Sequence, residues 1–401
     1  MTPTTPTTRQ TIRRSLPRLA AGLTLAALLA LPAGCGLGAI WTSDSAPSAG
    51  ASTGNSGPGS LIDQRREAFK IDHDAYASLG YRLDWRGFPV VAAGEHIQFL
   101  DLYDDIVVAH ESAATVSILE ASNGELRNSS QIASPLTRFV GNFRTDNLIV
   151  VSSDTDAAII DIQTGEIIQR DHLDRVISTA PVYFANHKIY GTSIGHVYAH
   201  YMTPPVNAWA YDLGSPIDAD LVLVGPTVVA VSRRGDIAML DAASGTLLAR
   251  AKIFGGCEAD PVAGTGMVFF ASLDQSIYAF DLNGKQQWRI RTEQPLRLTP
   301  TYHDGVLYVP SNDKGLRAIN ANTGTQLWNQ PKIAGRVVAM RSGKLITWDG
   351  TTASTLDPTT GDVIFSTELT EVEILKPDHF VDGNLYAVST GGIIAKFQPR
   401  D

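Results

Sequence analysis

The stretches Ala279–Trp288 (AFDLNGKQQW) and Ala318–Trp328 (AINANTGTQLW) decide how this chain is read. Each passes from a β-prone segment through an Asn-Gly or Thr-Gly turn to a Trp four residues beyond the Gly. Working outward from Gly284 and Gly324, turns of the same kind stand at Gly124, Gly165, Gly245 and Gly361. The steps along this series are 41, 80, 39, 40 and 37 residues, and the step of 80 is two periods with one turn missing. In that gap stands Thr203-Pro204-Pro205-Val206-Asn207, itself a turn sequence, with Trp209 four residues past Pro205.

A second series of turns keeps step with the first, from Asp104-Asp105 and Asp146-Asn147 through Asp304-Gly305 to Ser342-Gly343 and Asp382-Gly383. Each precedes a short run such as IVVAH, LIVVS, TVVAV, MVFFA or NLYAV, rich in β-branched, aromatic and aliphatic side chains and bounded by turn formers. That is a strand signal. Past residue 95 no long helical periodicity appears. Each unit of about forty residues therefore reads as four strands joined by tight turns. One such sheet has two apolar faces and two open edges, so it cannot stand alone. Stacking units around an axis buries the faces, and a four-stranded period near forty residues signals a propeller.

Eight unit starts fall near residues 95, 135, 175, 216, 255, 294, 334 and 372, with seven blades as the competing count. The last unit stops at Asp401 without a fourth strand. The stretch Tyr81 to Phe88 (YRLDWRGF) carries Trp85 where an outer strand would have it. The expectation is an all-β, eight-bladed β-propeller of four-stranded antiparallel blades over residues 81–401, its last blade closed by an N-terminal strand.

The docking phrases resemble the tryptophan-docking repeat of the PQQ-like (quinoprotein-type) β-propeller family. That resemblance implies that Trp85, Trp209, Trp288 and Trp328 lie between blades, on turns made by Gly165, Gly245, Gly284, Gly324 and Gly361. Behind Gly165, Gly245 and Gly361 the Trp is replaced by Gln169, Ala249 and Phe365. Quinone chemistry has no support in the residues, because the adjacent cysteines of the quinoprotein dehydrogenases are missing and no calcium-ligand set can be placed. No catalytic residue, cofactor or metal is expected. Among repeats of this type the chain is similar to the BamB-type envelope lipoproteins, which are non-catalytic and bind a partner through loops at one end of the ring. The stretch carrying that loop is His172 to Pro181 (HLDRVISTAP), so Leu173 and Arg175 are the partner-binding candidates that the resemblance supplies.

The front of the chain reads as an address. Arg9, Arg13, Arg14 and Arg18 precede the uncharged apolar run Leu19 to Leu31. Thirteen residues are too few for a helix to cross a core of about 30 Å, and they suit a signal peptide. Leu31-Pro32-Ala33-Gly34-Cys35 then resembles a lipobox, departing from it at Pro32, which makes Cys35 the expected lipidation site and residues 1–35 the leader. Acyl chains contribute about 0.8 kcal/mol per buried CH₂, so two or three anchor durably. Residues 36–60 are expected to be a Ser/Gly/Pro-rich tether, and residues 61–80 a short helical or irregular lead-in ending at Gly80. Arg13-Arg14 also fits a weak twin-arginine export signal.

Removing the four leader arginines leaves 28 basic against 41 acidic residues, a formal −13 where the whole chain has −9. Such a surface repels phosphate backbones, so nucleic acid is excluded as a partner. The two cysteines, Cys35 and Cys257, make no metal cage; Cys257 reads as a small buried residue. His196 and His200, four apart on a strand, would lie about 13 Å apart, too far for one metal ion. Asp274, Asp313 and Lys314 occupy equivalent loops of successive units, where such residues commonly make turns and can also line a binding surface. The sequence thus predicts a monomeric, exported, lipid-anchored scaffold that binds another envelope protein, with a role in outer-membrane protein assembly. The anchor would sit in the outer membrane facing the periplasm, or on the outer face of the cytoplasmic membrane. The competing class is a quinone- or sugar-binding enzyme or ligand-binding propeller that uses the axial channel.

Overall fold

The computed structural model describes residues 69–311 and 315–400. Cys35, the tether and the loop residues Asp313 and Lys314 lie outside the described residues. Among those described, 32 strands and one helix, α1 (His73–Ser78), form the fold. Asp72 caps α1, its carboxylate accepting the N–H groups of Asp74 and Ala75, both at 3.0 Å. No helix among them is long and apolar enough to cross a membrane.

The strands make eight four-stranded antiparallel sheets, an eight-bladed β-propeller. Blades 1 to 7 use four consecutive strands each and begin at Ile97, Phe139, Val182, Val222, Val262, Thr301 and Arg336. Blade 8 takes Val372–Pro377, Leu385–Ser389 and Ile394–Pro399 from the C-terminus, and its outermost strand is β1 (Tyr81–Gly87). The two termini pair with Tyr81 opposite Pro399 and Trp85 opposite Lys396. Arg341 fastens the same junction: its guanidinium donates to the carbonyls of Gly80 (3.2 Å) and Arg400 (2.5 Å) and pairs with Asp382 at 2.8 Å. A closed ring has no unfilled end face, which is why two distant chain ends share one sheet.

First strands of neighbouring blades touch one another around the axis. The eight β-rich runs of the sequence are the second strands, buried along nearly their whole length because both their faces meet other blades. The fourth strands alternate between exposed and half-buried, as a peripheral strand must. Five first-to-second turns hold two residues, and in Asp304-Gly305 and Ser342-Gly343 both have positive φ, the twist that suits a tight hairpin. Blade 8 differs. Its second strand starts after Asn384, and Asp382-Gly383 lies within a longer loop from Asp378 that crosses blade 7. There Phe380 accepts the Met340 N–H at 2.6 Å and its ring lies 4.5 Å from His303 of blade 6.

Candidate interaction face

Two kinds of loop share one end of the ring: connectors from each fourth strand to the next blade, and turns between second and third strands. The connectors are tied in series. Asp220 accepts the Ala180 N–H at 2.7 Å, Asp260 accepts the Asp220 N–H at 2.9 Å, and Thr299 accepts the Asp260 N–H at 3.1 Å. Burial pushes the Asp220 carboxyl up to about 6; the Ala180 N–H opposes that rise and the Asp260 charge adds to it.

The candidate stretch 172–181 is the connector from blade 2 to blade 3. Leu173 is only 2% exposed and packs with Ile177, Tyr190 and Tyr198. The Leu173 side chain thus faces inward and holds the loop in place, where the expectation had it facing a partner. Arg175 lies with its guanidinium 5.6 Å from the centre of the Tyr198 ring and Nη1 3.1 Å from His196 Nδ1. Beside it Val176 faces solvent. His200, on the same strand as His196, is buried and bonds the Tyr201 carbonyl at 2.9 Å, and burial lowers its pKa.

Under this connector the seam between blades 2 and 3 is polar. Lys188 and Asp171, both buried, form an ion pair, and Gln169 donates to the other Asp171 oxygen at 2.6 Å. Burial lowers the Lys188 pKa in spite of its partner. Tyr190 and Ser152 hydrogen-bond at 3.0 Å. No motif announced this network, since its two charges belong to different blades 17 positions apart.

Elsewhere each docking side chain lies on the glycine turn of the next blade. Trp85 covers Gly124, Trp209 covers Gly245, Trp288 covers Gly324 and Trp328 covers Gly361. A Cβ on Gly324 would fall 2.8 Å from the Trp288 ring, so the turn must be Gly on packing grounds as well as for its φ of +73°. The indole N–H groups of Trp85, Trp288 and Trp328 donate to the carbonyls of Ala121 (3.0 Å), Ala321 (2.8 Å) and Pro358 (2.8 Å). Trp209 Nε1 is buried with no hydrogen-bond partner among the described residues. Gly165 meets Asn128, and Gly284 meets Ala249 and the Arg250 backbone. Phe365 packs in the cluster between blades 7 and 8.

The connector face also bears apolar side chains that no core claims. Leu136 is 96% exposed, Phe254 82% and Ile194 59%. Cys257, by contrast, is buried, and its thiol is pushed up to about 12, burial first and the Asp274 and Asp260 charges after it. Among the described residues no group of three or more His, Cys, Asp or Glu could hold a metal ion.

A family model described as outer membrane protein assembly factor BamB matches residues 206–331 and again 282–400. Outer membrane protein assembly factor BamB of Bordetella pertussis is 29% identical over 141 residues, 34% of this chain and 35% of that protein. The chain thus spans about a third of that curated relative's length. Among solved structures, BamB from Moraxella catarrhalis gives a TM-score of 0.63 at 16% identity, covering 79% of this chain and 99% of that one. The computationally designed Ika8 protein gives 0.64, also at 16% identity, covering 78% of this chain and 100% of the other. At such identity the structural likenesses show the fold alone.

Proposed function

We propose that this chain, an eight-bladed propeller matched over residues 206–331 and 282–400 by a BamB family model, is a non-catalytic scaffold of the cell envelope. It is lipid-anchored through Cys35 and binds a partner protein through its connector face in outer-membrane protein assembly. The relatives' role as assembly factors supports this reading. The observation that carries it is the set of exposed apolar side chains on that face, Leu136, Phe254, Ile194 and Val176, set among ion-paired and hydrogen-bonded loops. Exposed apolar side chains that no core claims mark surfaces that meet a partner.

A photocrosslinker placed at Val176 tests the face, and pull-down from detergent-solubilised envelope tests the partnership. The reading expects an outer-membrane assembly component in both, diminished by Arg175→Glu. Cys35→Ala should release the chain from the membrane fraction. A crosslinker that traps nothing, with a pull-down that recovers no such component, rejects the scaffold role. Dye reduction by protein supplied with pyrroloquinoline quinone, calcium and alcohols or sugars would replace it with an enzyme.

A further inference from the structure

At blade 5 the connector face holds a built stack. The Arg289 guanidinium lies 5.0 Å from the ring centres of both Phe254 and Tyr278. It is clamped by Ser276 Oγ at 2.9 Å and Asp274 at 3.4 Å, and Asp274 also accepts the Tyr278 hydroxyl. One face of the Phe254 ring is thereby fixed by a cation while the rest of the side chain meets solvent. Cation–π contact with an already clamped guanidinium removes rotamer freedom in advance, which lowers the entropic cost of burying that ring against a partner.

The charge around the stack is unusual for an acidic chain. Arg233, Arg234 and Arg297 lie on loops of this face and Arg289 on the strand beneath it, and Asp218, Asp274 and Glu258 pair with three of them. The fourth, Arg234, is exposed and has no hydrogen-bond or ion-pair partner among the described residues. It sits on the turn pressed against the Phe254 connector, where the Ile253 N–H donates to the Gly235 carbonyl at 2.9 Å. An exposed aromatic beside an uncompensated cation matches a complementary surface with an apolar contact and a carboxylate next to it.

We propose that Phe254 and Arg234 form the anchor of a binding patch for an acidic protein segment, whose apolar side chain packs on the Phe254 ring while its carboxylates meet Arg234. This rests on the docking role of the connector face and names the chemistry of the partner there. The probe is a short fluorescein-labelled peptide of alternating Glu and Leu, with an alternating Lys and Leu peptide as control, read by anisotropy at low and physiological salt. The acidic peptide should bind in preference to the basic one. Phe254→Ala should weaken that binding about tenfold, a change of about 1.4 kcal/mol. Arg234→Glu should weaken it comparably and remove most of its salt dependence. Neither change alters thermal stability, since both side chains lie at the surface. Equal binding of the two peptides, or binding indifferent to both variants, overturns the patch. Envelope pull-down separates the two ideas. A partner lost with Arg175→Glu but kept with both Phe254→Ala and Arg234→Glu leaves the docking face standing and removes this anchor; a partner indifferent to all three removes both.

Discussion

The seam between blades 5 and 6 and the seam between blades 2 and 3 solve one packing problem in opposite ways. The first is a single cluster in which Phe269, Leu307, Val309 and Ile319 pack with Trp288, and the indole spends its one N–H on a backbone carbonyl of the next blade. The second has two small clusters, and between blades it buries the pair Lys188–Asp171 and the bond Tyr190–Ser152. Gln169 stands there where the repeat would put Trp. Apolar burial tolerates small errors of fit, whereas a buried ion pair holds only in one geometry. The polar seam meets the Arg175 connector where Tyr190 packs with Leu173. We read it as a seam selected for position, and the dry seams as selected for cohesion.

The largest effect should come from breaking the ion pair on one side. Lys188→Met leaves the Asp171 charge buried without compensation and should lower stability by about 4 kcal/mol. Adding Asp171→Leu should restore most of that loss. A double variant as unstable as the single one would show that the seam depends on its charges for more than mutual compensation. Denaturant midpoints measure both. At the dry seam, Trp288→Ala should cost about 3 kcal/mol, because it removes a large buried ring and leaves a cavity against Gly324. In blade 4 the equivalent position is already Ala249, so the cost belongs to this interface and not to the position in the repeat.

Much of this was legible in the sequence, for a reason that also explains what was missed. Second strands are buried on both faces, so they read as unbroken apolar runs. Six of the eight fourth strands follow a Gly turn, which marks them even where the Trp is absent. The first strands of blades 3 to 6 are short, with Val262–Ala263 only two residues long, and give little run of sequence to read. Lys188 was hidden by habit: a lysine in a strand is normally a solvated residue, and its partner is supplied by another blade. Phe254 was hidden the other way, since an aromatic in a β-rich chain reads as core and this one stands exposed on a connector. Leu173 had the same ambiguity and fell on the buried side.

A smaller effect follows from the serial bonds between connectors. The folded pKa of Asp220 is raised, so between about pH 4 and 6 the native state holds a proton that the unfolded chain has released. Its contribution is therefore most favourable below pH 4 and is lost as pH rises through about 6. Asp220→Asn keeps an acceptor for the Ala180 N–H without the charge. Its stability relative to the parent should rise by on the order of 1 to 2 kcal/mol from pH 4 to pH 7. Thermal unfolding at the two pH values reads the difference. A constant offset would mean that the carboxyl titrates near its ordinary value.

The smallest effect sharpens the comparison most, because it separates the ring of a docking Trp from its N–H. Trp288→Phe keeps an aromatic against Gly324 but leaves the Ala321 carbonyl without its donor, at a cost of about 1 kcal/mol beyond the lost area. Trp209 lies on Gly245 in the same way, yet its Nε1 is buried and unpaired. Trp209→Phe removes an unsatisfied donor together with the area, so the two terms oppose and the net change should stay within about 0.5 kcal/mol. The difference between the two variants therefore isolates the indole hydrogen bond from ring packing. If they cost the same, docking depends on shape alone. If only Trp288→Phe is costly, the carbonyl of the next blade is part of what sets the stacking of these repeats.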